Sequence, residues 1–290
     1  MKKFIILIPI YNDWESLVKL LNNIGKNIKN IKEAQFDCII VNDCSTIINP
    51  KIRIPPEINS IKIIHMGKNK GHARCNAFGI NYLSKNSDFD YLILMDGDGE
   101  DRPEEIKLLV DKILFEPNKS VVAKRVKRSE GPLFQMLYRL HVYLTLFTTG
   151  KLINFVNYSC LTKTDLKTLS TKASLWSSYS GSFKYNIKNY NEVNSIRGMR
   201  YFGPTQMSLF KLVIHSFSII AVFKYRVFFT SLILLVLLYY FGIFIKFNFL
   251  LFQILILLFT ILIFVVSFRE SKKELEKSKL DIASVEELTH

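Results

Sequence analysis

Two apolar runs near one end of the 290-residue chain constrain its fold most strongly. From Val227 to Ile245 only Thr230, Ser231 and Gly242 interrupt the first run, and the second extends from Phe247 to Phe268. Each matches the ~20 residues that a helix needs to cross a bilayer. One continuous helix of this length would extend roughly 63 Å, twice the ~30 Å hydrocarbon thickness. The chain must therefore turn back, and we predict a tight transmembrane hairpin.

The basic residues around this hairpin lie mostly at its two ends. Lys246 is at the turn, whereas five others flank the ends: Lys224, Arg226, Arg269, Lys272 and Lys273. Positive residues near membrane helices favour the cytoplasmic side. We therefore expect an inner-membrane protein with two transmembrane helices and a cytoplasmic N-terminal domain. The hairpin also allows a homo-oligomer.

The net charge of +14 is concentrated in one part of the chain. Between Ser120 and Arg226 there are 16 Lys and Arg against three acidic residues, an excess of 13. A basic stretch that leads into a membrane hairpin favours anionic lipid headgroups and phosphorylated substrates as partners over nucleic acid. The alternative is a basic face that is only solvated.

A predicted strand, Tyr91–Met95, ends in four carboxylates within six residues. Asp96 and Asp98 are separated by one glycine, so both can reach one hard cation through oxygen, with Glu100 as a third candidate. Without a cation these negative charges repel one another. In an open α/β sheet, ligands bind at the carboxyl ends of the strands. We therefore predict a divalent cation here that would hold a diphosphate.

Alternating strands and helices before the hairpin predict an α/β doubly wound sheet. Two other strand ends are also polar, at Tyr11-Asn12-Asp13 and Asn42-Asp43. These side chains are expected to converge with the Asp96 group in a nucleotide pocket, although Asp13 and Asp43 are equally typical of helix caps and turns. The predicted strands are Phe4–Ile8, Cys38–Val41, Ile61–His65, Tyr91–Met95 and Ser120–Val126.

Four motifs together resemble the family 2 glycosyltransferases of the GT-A (Rossmann-like) fold. They are Ile8–Asp13, Val41–Thr46, Lys68–Gly71 and Met95–Pro103, in that order. The hairpin makes the chain similar to the polyprenyl-phosphate branch of that family, which includes dolichyl-phosphate mannose synthase and bactoprenol glucosyltransferases. The resemblance covers roughly residues 4 to 268.

The resemblance implies a role for each matching residue on the donor side. A nucleoside diphosphate sugar would bind in a pocket that includes the Asp96 and Asp98 pair, with Mg²⁺ or Mn²⁺ on its diphosphate. The other residues implied in this pocket are Pro9, Tyr11, Asp13, Asp43 and Asn69.

On the acceptor side, Ala123–Arg128 resembles the basic segment that receives the lipid phosphate, with Arg125 and Arg128 as the candidates. Arginine offers a forked donor that suits phosphate. A later segment, Arg197–Gln206, resembles the part of the family that closes over the donor diphosphate, and this implies a catalytic role for Arg200.

We therefore expect a GT-A domain over residues 1–205, an amphipathic juxtamembrane helix over 206–226, the hairpin over 227–268 and a cytoplasmic tail over 269–290. The juxtamembrane helix would lie in the membrane interface or between the GT-A domain and the hairpin. The tail is expected to be a short, partly frayed helix, and Trp176–Gly181 a loop over the acceptor.

The expected function is inverting, metal-dependent transfer of a sugar to polyprenyl (undecaprenyl or dolichyl) phosphate in cell-envelope glycan synthesis. Two alternatives remain open at this point. In the first, the acceptor is a hydroxyl of a lipid or lipid-linked glycan, which requires a general base such as Asp101. In the second, the chain is a membrane-tethered nucleotide-sugar-binding protein without turnover.

Overall fold

An eight-stranded mixed sheet forms the centre of the computed structural model, which describes residues 1–85, 88–127, 132–204 and 208–290. The order of the strands across the sheet is β7-β5-β6-β4-β1-β2-β3-β8. β6 runs antiparallel to β4 and β5, and β8 runs antiparallel to β3, whereas the other neighbours are parallel. The strands are β1 Lys2–Ile10, β2 Ala34–Asn42, β3 Ser60–Met66, β4 Tyr91–Leu94, β5 Ser120–Lys127, β6 Ser159–Thr162, β7 Tyr190–Ile196 and β8 Ile282–Thr289.

Helices cover both faces of this sheet. In β1, Phe4 and Ile6 face one layer of the core, and Ile5 and Leu7 face the other. Strands buried on both faces read as continuous apolar runs, which is why the first five strands were predictable. The first layer contains α1 Trp14–Ile28 and α3 Ile106–Phe115, and the second contains α2 His72–Leu83, α5 Lys163–Ser170 and α6 Tyr179–Asn186. The predicted α/β fold class is confirmed.

The two apolar runs form an antiparallel helical hairpin. α8 extends over Lys224–Ile245 and α9 over Leu250–Ser267, and Lys246 takes a left-handed conformation with φ of 54° at the turn. The two ends are joined by an ion pair of 3.1 Å between Lys224 and Glu270. Most side chains of both helices are exposed, unlike those of a core helix in a soluble protein. Both helices are long and apolar enough to cross a membrane.

The helix before the hairpin, α7 Leu209–Ala221, packs between the sheet domain and the hairpin. Phe217 lies edge-on to Phe259 of α9, with ring centroids 6.2 Å apart. On the other side, the carbonyl of Ile219 would lie 3.0 Å from a Cβ placed on Gly181 of α6. This packing favours the sandwiched position over a helix that lies freely in the membrane interface.

Two sequence-based expectations outside the acid cluster are wrong. A short helix, α10 Lys272–Lys277, does follow the hairpin, but the chain then forms β8, which completes the sheet beside β3. The tail is therefore part of the central sheet and not a frayed helix. Trp176 and Tyr179 are only 4% and 2% exposed and belong to the core, so their segment is no open loop.

Candidate active site

The acid cluster lies at the carboxyl end of β4, where two glycines permit a close approach of the backbone. A Cβ on Gly97 would lie 3.0 Å from the carbonyl of Pro9 in β1. Gly99 has φ of +89°, and a Cβ there would lie 2.5 Å from the ring of Tyr201. The glycines that alternate with the acids in this loop therefore permit packing against β1 and Tyr201.

Asp96 is held by two polar side chains from other elements. His72 Nε2 lies 3.0 Å from Asp96 Oδ1, and the amide of Asn157 donates to the same oxygen at 2.9 Å. Burial opposes ionisation of Asp96, but the charge and hydrogen bond of His72 hold its pKa well below its usual range. Burial also opposes the charging of His72, yet Asp96 and the neighbouring carboxylates raise the pKa of His72. Neither His72 nor Asn157 had been predicted as a site residue.

Arg200 bridges two of the predicted carboxylates. Its Nη1 donates to Asp98 Oδ2 at 2.9 Å, and its Nη2 pairs with Asp13. The backbone N–H of Glu100 donates to the other Asp98 oxygen at 3.0 Å. Burial and the negative charge of Asp96 raise the pKa of Asp98. Asp13 is the N-cap residue of α1, as the alternative interpretation predicted, but its side chain makes no capping bond.

The segment that carries Arg200 lies directly over the acid loop. The N–H of Gly198 donates to the Glu100 carbonyl at 2.8 Å, and the N–H of Tyr201 donates to the Asp98 carbonyl at 2.9 Å. The side chain of Glu100 pairs with Arg197. The structure thus turns Glu100 toward an arginine, and its role as a third metal ligand stays a prediction.

Arg125 lies beneath the cluster in a buried ion pair. Its guanidinium is 3.1 Å from Asp101, and the two side chains are 6% and 2% exposed. The second Asp101 oxygen accepts the backbone N–H of Asp96 at 3.0 Å. Burial and the charge of Asp96 raise the pKa of Asp101 to about 7, while Arg125 opposes this rise. In this geometry Arg125 positions the loop through Asp101, and its assignment to the acceptor phosphate stays a prediction.

Asp43 fixes a neighbouring loop at the end of β2. Its carboxylate accepts the N–H groups of Lys70 at 2.8 Å and Gly71 at 2.7 Å. Asn69 donates to the Asp43 carbonyl at 3.1 Å. Burial raises the pKa of Asp43, and the two loop N–H groups oppose that rise. Because His72 follows Gly71 directly, this loop links the Asp43 side of the site to Asp96.

The predicted site residues thus fall into three groups. Asp13, Asp96, Asp98, Glu100 and Arg200 meet in one cluster; Asp43 and Asn69 lie together in the adjoining loop; Arg125 lies below. Pro9 and Tyr11 are at the end of β1, where Tyr11 is 40% exposed. Arg128 and Gln206 lie outside the described residues.

The carboxylates fit a divalent cation of the magnesium type. Asp96 and Asp98 are 17% and 20% exposed and offer hard oxygen donors from one loop. Within the described ranges, no three His, Cys, Asp or Glu side chains are arranged to hold a metal. Mg²⁺ is commonly bound by only one or two protein carboxylates together with substrate phosphates and water. The two aspartates are therefore a sufficient protein contribution for a cation that arrives with a diphosphate.

The comparison with known protein families decides the class. The model of Glycosyl transferase family 2 matches residues 5–201, which include every described site residue above. The chain belongs to this family. It is therefore a glycosyltransferase, and the resemblance found in the sequence motifs is confirmed.

The curated relatives of this family 2 enzyme match only part of its chain. An undecaprenyl-phosphate 4-deoxy-4-formamido-L-arabinose transferase from Proteus mirabilis (strain HI4320) is 32% identical over 111 residues, which is 37% of this chain and 32% of the relative. The enzyme of the same name from Photorhabdus laumondii is 32% identical over 138 residues, or 46% of this chain and 40% of the relative. The matched region is less than half the length of either relative.

Solved structures show the same fold. Glucosyl-3-phosphoglycerate synthase from Mycobacterium tuberculosis, in complex with Mn²⁺, uridine-diphosphate-glucose and phosphoglyceric acid, aligns with a TM-score of 0.53 at 14% identity. The alignment covers 78% of this chain and 80% of the synthase. A second crystal structure of that complex gives a TM-score of 0.52 with the same coverage. At this identity the likeness establishes the GT-A fold and nothing finer.

Proposed function

We propose that this glycosyltransferase moves a sugar from a nucleoside diphosphate sugar to a polyprenyl phosphate, with inversion, at the cytoplasmic face of the inner membrane. The observation that carries the proposal is the position of the acid cluster close to the base of an apolar helical hairpin. Lys70, whose backbone N–H donates to Asp43, pairs at 4.0 Å with Glu274 of α10, the helix that follows the hairpin directly. α7 also packs on the hairpin. A membrane lipid could therefore reach the site without leaving the bilayer.

The names of the matched relatives support the choice of acceptor, since both are undecaprenyl-phosphate transferases. The basic excess between Ser120 and Arg226 also suits a phosphorylated lipid. The flanking charges of the hairpin, with Lys246 alone at the turn, support the cytoplasmic side.

The donor site can be assigned to particular side chains. Asp96 and Asp98 would hold Mg²⁺ or Mn²⁺, which when bound neutralises charge on the diphosphate. Arg200 would transfer its hydrogen bonds from Asp98 and Asp13 to the departing diphosphate, where it stabilises the developing negative charge. His72 and Asn157 keep Asp96 ionised and oriented.

A phosphate acceptor fits the acid–base chemistry of the site better than a hydroxyl does. A phosphate is already ionised at neutral pH and needs no general base, whereas a hydroxyl acceptor does. Asp101, the base considered for a hydroxyl, is 2% exposed, and both its oxygens are occupied by Arg125 and the Asp96 N–H. It has no free oxygen directed at an acceptor. Arg128 remains our candidate for direct contact with the acceptor phosphate.

The proposal is tested by supplying the purified protein in detergent with Mg²⁺, a panel of labelled nucleotide sugars and either polyprenyl phosphate or diacylglycerol. We expect label in the organic phase only with polyprenyl phosphate, in an acid-labile phosphodiester linkage. Transfer to diacylglycerol alone would replace this proposal by the hydroxyl acceptor. Donor binding without transfer to either lipid would contradict both.

A further inference from the structure

A basic cavity lies where the sheet domain meets the first turns of α8. A cavity of about 810 Å³ opens there between α6, the start of β7 and α8. Its lining includes Lys184 and Tyr185 from α6, and Tyr225 and Phe229 from α8. Neither the family comparison nor the donor site described above accounts for this cavity.

The cavity is positively charged. Among the described residues that line it there are four basic side chains and no carboxylate: Lys151, Lys184, Lys188 and Arg226. Lys184 donates to the hydroxyl of Tyr190. Lys151, Lys188 and Arg226 are exposed, and none of them forms an ion pair with an acid in the described part of the chain. These three cations are therefore available to an external anion.

The guanidinium of Arg226 lies against the backbone of Gly150. Gly150 has φ of +63°, and a Cβ there would lie 2.7 Å from Nη2 of Arg226. The guanidinium thus packs directly on the backbone of Gly150, and a side chain there would displace it. The position of Arg226 therefore depends on the end of α4 Pro132–Thr149 as well as on α8.

The ligand must also suit an apolar surface, because Tyr225, Phe229 and Ile233 of α8 are 66%, 60% and 60% exposed. These residues continue from the charged cavity along the helix that we propose to enter the bilayer. A phosphate attached to acyl chains matches both parts, whereas a soluble phosphate matches only the charged one.

This cavity is separate from the donor site. Tyr190 begins β7 at the cavity, whereas Arg197, just past the end of β7, pairs with Glu100 in the acid cluster. At ~3.3 Å per residue along a strand, the two places are roughly 20 Å apart. An acceptor phosphate held in the cavity could not reach a sugar bound at the acid cluster.

We propose that the cavity binds the phosphodiester headgroup of an anionic phospholipid, with the acyl chains lying along α8. The proposal rests on the membrane hairpin of the proposed function. Lys151, Lys188 and Arg226 would contact the headgroup, and the lipid would fix the orientation of the sheet domain at the bilayer surface.

The test is native mass spectrometry of the whole protein released from bilayers of equal parts phosphatidylcholine and phosphatidylglycerol. We compare the wild type with the double variant Lys188→Gln/Arg226→Gln. The control is Lys29→Gln/Lys32→Gln, which removes the same charge at exposed positions between α1 and β2, outside the lining of the cavity. The wild type and the control should retain phosphatidylglycerol in preference to phosphatidylcholine. Two basic contacts near a lipid surface correspond to about a 30-fold loss of affinity in the site variant.

Three results would overturn the proposal: equal retention of the two lipids by the wild type, unchanged retention by the site variant, or displacement of phosphatidylglycerol by stoichiometric polyprenyl phosphate. The last would make the cavity an acceptor site. If Arg226→Gln disturbs folding, a second variant, Lys151→Gln/Lys188→Gln, keeps the test valid because it leaves α8 unaltered. This variant should show the same loss of phosphatidylglycerol. Extraction of the protein from membranes by alkaline carbonate would contradict the membrane hairpin. The transfer assay described under the proposed function tests the enzyme activity independently.

Discussion

The guanidinium of Arg200 lies 2.9 Å from the carboxylate of Asp98, one of the two oxygen donors that we assign to a divalent cation. A cationic side chain and a metal ion compete for the same negative charge. Arg200 can release Asp98 at little cost only when another anion is available to it, and the diphosphate of the donor is such an anion. The proposed metal diphosphate would therefore account for the contact between this arginine and this carboxylate.

Replacing Arg200 with Gln should lower the turnover number by roughly 10²- to 10³-fold, because a donor aimed at developing charge is lost. Lys at this position should recover only part of the rate, since it keeps the charge but loses the fork that bridges two oxygens. Transfer kinetics with saturating donor measure this effect. Arg53→Gln, at an exposed position between β2 and β3, is the matched control and should leave the rate unchanged. Equal rates for the two variants would exclude Arg200 from the reaction.

The Asp98→Asn variant tests the cation. Removing one carboxylate charge should weaken Mg²⁺-dependent nucleotide binding by at least about tenfold without unfolding the domain. Calorimetric titration of nucleotide with and without Mg²⁺ gives both affinities. The exposed Asp111, which pairs with Lys107 in α3, provides the control variant Asp111→Asn. A binding constant that responds to Mg²⁺ equally in both variants would contradict the metal assignment.

Arg125→Ala should destabilise the protein and not merely weaken acceptor binding. Breaking a buried ion pair leaves Asp101 without its partner, at a typical cost of ~3–5 kcal/mol. Adding Asp101→Asn should restore part of the melting temperature, because the unpaired buried charge is then removed. Thermal unfolding in detergent measures both variants. If Arg125→Ala leaves the melting temperature unchanged, the buried ion pair does not stabilise the fold, and Arg125 would again be assigned to the acceptor phosphate.

Arg128→Ala should weaken acceptor binding without destabilising the protein. Loss of a direct phosphate contact should reduce transfer at limiting polyprenyl phosphate by roughly 30-fold or more, while donor affinity and melting temperature stay unchanged. Kinetics at varied acceptor concentration, with donor affinity measured in parallel, separate the two effects. Loss of donor binding with an unaltered dependence on lipid would place Arg128 on the diphosphate.

The edge strand β8 should protect the loop that Asp43 holds. Asp281, just before β8, pairs with Lys70 at 3.2 Å, and its carbonyl accepts the N–H of Gly67. Removing residues 282–290 should therefore increase amide hydrogen exchange in both Ser60–Met66 and the following loop. Asp281→Asn, with β8 intact, should affect the loop alone. Unchanged exchange in β3 after the deletion would show that β8 does not stabilise it.

The central strands could be predicted from the sequence because each is a short, continuous apolar run that ends in polar residues. Tyr91–Leu94 is buried on both faces and is followed by charge, so the strand and its functional end could be predicted together. The edge strand β8 gives no such signal. Its residues Ile282–Thr289 are mostly exposed, and it is a strand only because β3 offers unpaired backbone groups.

The contacts within the site that could not be predicted join residues from distant parts of the chain. Arg125 sits in a strongly basic stretch, which suggested a phosphate ligand, but it forms a buried ion pair with Asp101, 24 residues earlier. Asn157 lies 61 residues from Asp96, in a stretch without a motif. Such pairs depend on which strands are neighbours in the sheet, and the crossing from β4 to β6 and β5 was not predictable from local patterns.

The most direct measurement of the central proposal is mass spectrometry of the lipid formed from polyprenyl phosphate and a panel of nucleotide sugars by the wild type and Asp98→Asn in parallel. We expect the wild type to yield one new lipid, heavier than polyprenyl phosphate by a single sugar residue and fragmenting to a sugar phosphate. Asp98→Asn should yield little of it. A complete absence of this lipid from the wild type with every donor, while the protein remains folded and binds nucleotide, would contradict transfer to polyprenyl phosphate.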